Sequence, residues 1–157
     1  MPDCAITTDI IAGFCGETEQ DHQDTLDIMR RVKYDYAYMF QYSERPGTLA
    51  ARKYPDDIEP QEKTRRLNEI IALQNELSLE SNKKDVGKVL TVLVEGTSKR
   101  SDKELCGRAS NNKMCVFPAE LAEASEPTTP GRYHVGDYVK VEVLSCTSAT
   151  LICKIAE

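Results

Sequence analysis

Two groups of residues in this chain have the types and spacing to do chemistry. The first is Gly13, Phe14, Gly16 and Glu17, a glycine-bracketed turn placed directly after a short apolar run and directly before a helical stretch. Glycines let backbone approach a ligand closely, and a helix N-terminus offers unpaired N–H groups. The same glycines would also serve a plain strand-to-helix turn. Arg45, in Ser-Glu-Arg-Pro-Gly-Thr, is a fixed cation able to grip a carboxylate or phosphate with two parallel hydrogen bonds, and beside Glu44 it also reads as an ordinary surface arginine. Asp9 falls inside the apolar run, where a carboxylate is expected to need a hydrogen-bonded partner. The second group is Lys99, Arg100, Lys103, Arg108, Asn111, Asn112 and Lys113. Its cations can neutralise phosphates and its amides can bond phosphate, ribose or base edges, while a solvated basic face would explain the same residues. Phe117, next to them, is either a stacking platform or core.

Other chemistries lack their residues. His22 and His134 have no sequence neighbours that suggest a triad or a metal, and packing is the expected role of His22. No phosphate-binding P-loop, Ser-His-Asp order or close carboxylate pair occurs. The six cysteines (Cys4, Cys15, Cys106, Cys115, Cys146, Cys153) contain no C-x-x-C and no C-x3-C-x2-C, so they offer no local zinc or iron-sulfur site. Free, buried thiols are expected instead. Net charge is −6, but residues 1–84 hold 11 basic and 16 acidic side chains against 9 and 10 in residues 85–157, so the second half is nearly neutral and carries the basic patch. No apolar run approaches the ~18 residues of a membrane span, and the N-terminus lacks the features of a secretion signal, so a cytoplasmic protein without membrane association is expected.

The elements that must position these groups change character near Gly87. Residues 5–14 form a β-branched apolar run, predicted to be a parallel strand buried on both faces. Thr18 with Asp21 three residues on has the spacing of a capping box, opening a helix to about Val32. The aromatic-rich residues 36–42 predict a second strand, a loop of about fifteen residues follows, and Pro60 opens a long helix to about Lys84 with an apolar stripe of Leu67, Ile70, Ile71, Leu73, Leu77 and Leu79. Beyond Gly87, short runs at residues 89–95, near 107, 114–117, 138–144 and 149–155 predict a small antiparallel OB-like barrel, with 119–136 as its longest loop. Two strands and two helices cannot close an α/β layer, so the first half is expected to be part of something larger.

Two stretches add a resemblance. Asp9-Ile-Ile-Ala-Gly-Phe-Cys-Gly-Glu-Thr18 resembles the Asp-Ile-Ile-Val-Gly-Phe-Pro-Gly-Glu-Thr signature of the radical-SAM methylthiotransferases, with Cys15 where that family has Pro. Tyr42-Ser-Glu-Arg-Pro-Gly-Thr-Leu-Ala50 resembles its Tyr-Ser-x-Arg-x-Gly-Thr-x-Ala. Residues 66–82 and 87–96 are most similar to the branch acting on N6-dimethylallyladenosine in tRNA, leading into the module called TRAM, which Gly107–Lys113 also fits. The resemblance implies residues 1–84 as the C-terminal third of a radical-SAM partial (β/α) barrel with its connecting helix, and residues 85–157 as a TRAM-like RNA-binding barrel: α/β plus all-β. It implies S-adenosylmethionine and [4Fe-4S] clusters as cofactors, with Asp9, Gly13, Phe14, Gly16, Glu17 and Arg45 on the cofactor side and the basic residues of 99–113 on tRNA. The cluster-binding cysteines and an N-terminal part would come from upstream, and the chain alone would be inactive. Sister enzymes acting on a ribosomal protein or on threonylcarbamoyl-adenosine share both loop signatures, and a stand-alone RNA-binding module is the non-enzymatic alternative.

Overall fold

The computed structural model describes residues 4–119 and 133–156. They fall into two compact units, Ile6–Ser78 and Leu79–Glu157, the latter joined by the first residues of the chain. Most of the loop predicted at 119–136 lies outside the described residues. Among the described residues no helix is long and apolar enough to cross a membrane.

The first unit opens with β1 (Thr7–Ala12), a tight turn, and α1 (Glu19–Val32). The capping box forms as its spacing predicts: the Thr18 hydroxyl accepts from the Asp21 N–H at 3.2 Å and the Asp21 carboxylate accepts from the Thr18 N–H at 2.8 Å. After α1, β2 (Tyr36–Gln41) pairs parallel to β1, from Thr7 opposite Tyr36 to Ala12 opposite Gln41. The stretch predicted to be loop contains α2 (Leu49–Lys53), capped by Thr48; one and a half turns are too few to print a 3.6-residue period in sequence. The long helix α3 (Pro60–Lys83) matches its prediction. Ala12, Leu26, Met29, Ile70 and Leu77 form the core, with Ile10, Met39, Leu67 and Leu73 packed on it, and each large apolar side chain buried there contributes about 1.5–3 kcal/mol.

Both helices contribute to a core on one face of the β1/β2 sheet, and the other face stays bare. Thr7, Asp9 and Ile11 point outward from β1, opposite Tyr36, Tyr38 and Phe40 of β2, and Ile11, Tyr36, Tyr38 and Phe40 are 56%, 46%, 50% and 55% exposed. The expected burial of β1 on both faces is therefore corrected: a parallel strand acquires that environment only when a second layer covers it, and no described element does. The expectation for Asp9 changes with it, because an exposed carboxylate is solvated by water and needs no protein partner.

The second unit is a closed barrel of β3 (Val89–Ser98), β4 (Ser101–Ala109), β5 (Met114–Pro118), β6 (Tyr138–Cys146) and β7 (Leu151–Ile155), ordered β3-β4-β5-β7-β6. All neighbours are antiparallel except β5 and β7, which run parallel with Cys115 opposite Leu151. An all-antiparallel barrel was expected, but an odd number of strands in a ring cannot alternate direction at every seam. Inward residues of each strand fill the interior: Val92, Val94, Leu105, Cys115, Phe117, Val139, Val141, Val143, Leu151 and Cys153. At Gly107 a methyl group would lie 2.0 Å from the Leu93 carbonyl oxygen, so only glycine lets β4 close on β3 there. Register shifts at Val94/Gly96 and Val143/Ser145 supply bulges of the kind that bend strands around a small barrel.

Candidate cofactor loops and nucleic-acid interface

The turn after β1 is organised by carboxylates. Glu17 folds back so that one carboxylate oxygen accepts from the N–H groups of Gly13 (2.6 Å) and Phe14 (3.2 Å), while the other accepts from buried Arg66 (3.1 Å). Arg66 also donates to the Glu17 carbonyl at 2.9 Å and to Glu62 at 3.0 Å, and the Gly16 N–H donates to Asp57 at 2.7 Å. The backbone donors of this turn are thus spent inside the protein. Glu17, Gly13 and Gly16 set the shape of the loop, and what the loop presents outward is the half-exposed ring of Phe14. That ring meets Tyr42 edge-on at 5.0 Å and Tyr54 at 6.3 Å. Beneath it the buried Lys63 lies 5.2 Å from the centre of the Tyr42 ring and pairs with Asp56 at 2.5 Å. Gly13 has φ +75°, and a methyl group there would fall 2.4 Å from the Lys63 side chain, so this position requires glycine on two counts.

Asp9 sits one side-chain row from this turn, on the bare sheet face directly opposite Tyr38. Arg45 is exposed on the loop after β2, where its carbonyl accepts from Thr48. The structure therefore brings Gly13, Phe14, Gly16 and Glu17 together in one turn and places Asp9 on the adjoining open face. Sequence reasoning missed Arg66, Lys63, Asp56 and Asp57, which make bonds to partners 7 to 49 positions away. His22 is fully buried, as packing requires, but its Nε2 also meets Glu69 at 2.8 Å. That bond, more than any other contact, holds the Glu69 carboxyl below its usual value.

The basic residues of the barrel do not form one patch. Lys99 and Arg100 occupy the two-residue tip between β3 and β4, and Lys103 follows on β4, all exposed. Arg108 lies on the outer wall, donating to the Asn112 carbonyl at 2.9 Å and approaching Glu95 at 3.5 Å, so it holds the turn in which Asn112 takes φ 62°. Lys113 turns inward: its ammonium bonds Asp85 at 2.7 Å and the Ser81 hydroxyl at 2.8 Å. Asn111 is directed to the same carboxylate at 3.5 Å. Burial pushes the Asp85 carboxyl up, yet Lys113 and Lys88 together hold it below the usual range. Lys113 and Asn111 are thus committed to internal bonds, and Phe117, 1% exposed, is core. All six cysteines are free, but only Cys115 and Cys153 are buried; the expected burial fails for Cys4, which is exposed, and for Cys15, Cys106 and Cys146, which are partly so.

Residues 83–155, the barrel and its lead-in, match the TRAM domain family. Across 98% of its length the chain is 54% identical to a protein of Amoebophilus asiaticus named tRNA-2-methylthio-N(6)-dimethylallyladenosine synthase, covering 29% of that protein. Proteins of the same name from Chlorobium phaeobacteroides and Porphyromonas gingivalis are 51% and 46% identical, over 97% and 100% of the chain. The barrel matches the TRAM domain family, and the chain is similar to the C-terminal part of these synthases in sequence. It spans 29–32% of the length of the curated relatives it matches. The identity runs through both units, so the TRAM domain and the α/β unit before it belong to the same relationship.

Proposed function

We propose that this chain is the C-terminal part of a tRNA methylthiotransferase that adds a methylthio group to C2 of N6-dimethylallyladenosine next to the anticodon. The observation that carries the proposal is 54% identity through both units to a protein bearing that enzyme's name. The bare β1/β2 face supports it: Ile11 with Tyr36, Tyr38 and Phe40, four large apolar side chains on one face, are what an inward-facing barrel wall exposes when its neighbouring strands are elsewhere. In this account Ile6–Ser78 is the last segment of a radical-SAM partial barrel, its open face turned to the chamber, and the upstream part of the enzyme covers it.

Sites in parallel barrels gather at the C-terminal ends of strands, where Phe14, Tyr42 and Arg45 lie. S-adenosylmethionine would rest against the Phe14 ring, with Asp9 and Arg45 supplying charges of both signs for its ammonium and carboxylate groups. Glu17, Gly13 and Gly16 hold the turn that presents Phe14. When bound, S-adenosylmethionine and the [4Fe-4S] clusters supply the radical chemistry and the methyl group; the cluster ligands are assigned to the upstream part. The TRAM domain takes tRNA, with Lys99, Arg100, Lys103, Arg108 and Asn112 as the outward polar set, and the enzyme works in the cytoplasm without a membrane.

The test is a fusion of this chain to the upstream part of the Porphyromonas gingivalis relative, in place of the matching segment. After cluster reconstitution, methylthiolation of dimethylallyl-modified tRNA, read by nucleoside mass spectrometry, is expected from the fusion and not from this chain alone. A folded, cluster-loaded fusion that leaves the tRNA unmodified overturns the proposal.

A further inference from the structure

Phe117 being core leaves the TRAM domain without the aromatic platform that unpaired bases use, unless another ring stands outside the barrel. One does. The alternation that sends Val139, Val141 and Val143 of β6 inward sends Tyr138 outward, at the first residue of the strand and 72% exposed. Among the described residues no ring packs on it and no group bonds its hydroxyl. Its cross-strand partner is Leu93 of β3, whose partner on the other side is Arg108 of β4, so the three side chains form one row across three strands. The next row on β6 and β3 pairs Lys140 with Thr91, and Val135, three residues before Tyr138, is 70% exposed.

Lys140 is the cation beside the ring that is left without a carboxylate partner among the described residues. Of the nearby carboxylates, Glu142 is neutralised by Lys154 at 2.9 Å and Glu95 lies 3.5 Å from Arg108, while Asp137 is drawn to its own turn, accepting from the His134 N–H at 2.8 Å. Lys140 has no ion pair among the described residues, and Arg108 stays partly exposed. An aromatic face beside one unpaired lysine and a partly exposed arginine, standing on an antiparallel barrel wall, is the arrangement that stacks a base and grips the phosphates next to it. A protein partner would call for a larger continuous apolar area than one tyrosine, one valine and a half-covered leucine.

We propose that Tyr138, with Leu93 as its cross-strand neighbour, Arg108 beyond Leu93 in the same row and Lys140 in the next, is a stacking site for an unpaired base of the RNA that the TRAM domain binds. It rests on the RNA-binding assignment above. Stacking is tolerant of base identity, so the site selects unpaired over paired nucleotides, with no preference for one base.

The experiment is fluorescence anisotropy of the full chain with a labelled anticodon stem-loop and with a blunt duplex of the same length, at two salt concentrations. Tyr138→Ala is expected to weaken stem-loop binding about tenfold and leave duplex binding unchanged, Tyr138→Phe to bind as the wild type, and Lys140→Gln to lower the salt dependence. Tyr138 is on the surface, and circular dichroism checks that the variants fold. Wild-type binding with an unaffected Tyr138→Ala variant overturns the stacking site and leaves the RNA-binding assignment standing; no wild-type binding to either RNA overturns both.

Discussion

Glu17 answers in one side chain for the turn between β1 and α1. Replacing it with Ala strips the acceptor from the Gly13 and Phe14 N–H groups and leaves buried Arg66 short of a partner, which is expected to cost about 2–3 kcal/mol in urea unfolding. A change below about 0.5 kcal/mol would show that the turn holds itself. Glu62, bonded by Arg65 and then by Arg66, is pulled from 4.5 down to about 2. Because its folded value is depressed, its stabilising contribution is full above pH 4.5 and is lost as pH falls toward 2. The urea midpoint should drop more steeply across that window in the wild type than in Glu62→Gln; parallel curves would rule the effect out. These residues were half legible in the sequence. Glycines around a strand end marked the turn, and a Thr-x-x-Asp spacing marked the cap, because both signals are local. The bond from Arg66 to Glu17 joins residues 49 positions apart, and no periodicity announces it.

Elements were easier to find than their faces. Periodicity located both helices and every strand except the full extent of β4, while α2 was too short to leave a period. It could not say that β1 faces open space on one side, since a run such as Asp-Ile-Ile-Ala fits a covered strand and a half-covered one equally. Nor could it separate Phe117, which alternation turns inward, from Tyr138, which it turns outward; strand phase decides that, and the flanking turns set the phase. At this scale Gly107 provides a sharp test. Gly107→Ala drives a methyl group into the Leu93 carbonyl and should cost about 3 kcal/mol or more, whereas Gly96→Ala, with nothing within 4 Å, should cost well under that. Equal costs in thermal unfolding would mean that β3 and β4 have room to separate. Lys113 and Asp85 tie the lead-in segment to the TRAM barrel: Lys113→Met alone is expected to cost about 1–3 kcal/mol by leaving the buried Asp85 carboxylate with Lys88 as its remaining cationic partner, and Asp85→Asn added to it should recover much of the loss. Additive costs would show that the pair does not act as a unit.

At the scale of the whole molecule, the chain pairs a closed barrel with an α/β unit whose sheet is covered on one face among the described residues. The TRAM barrel closes all its strands and buries a continuous core, so it has the makings of an independent fold. The α/β unit has a core on one side of a two-stranded sheet and an exposed aromatic wall on the other, and that asymmetry is what the proposed upstream layer would resolve. The resemblance in two loops carries the same expectation, because a family signature holds information about chain that lies elsewhere. The central claim is that the upstream part of the enzyme covers this wall. Hydroxyl-radical footprinting of Tyr36, Tyr38 and Phe40, in this chain alone and in the fusion with the upstream part of the Porphyromonas gingivalis relative, tests it most directly. The account predicts strong labelling of all three in the chain alone and protection in the fusion; equal labelling in both would contradict it.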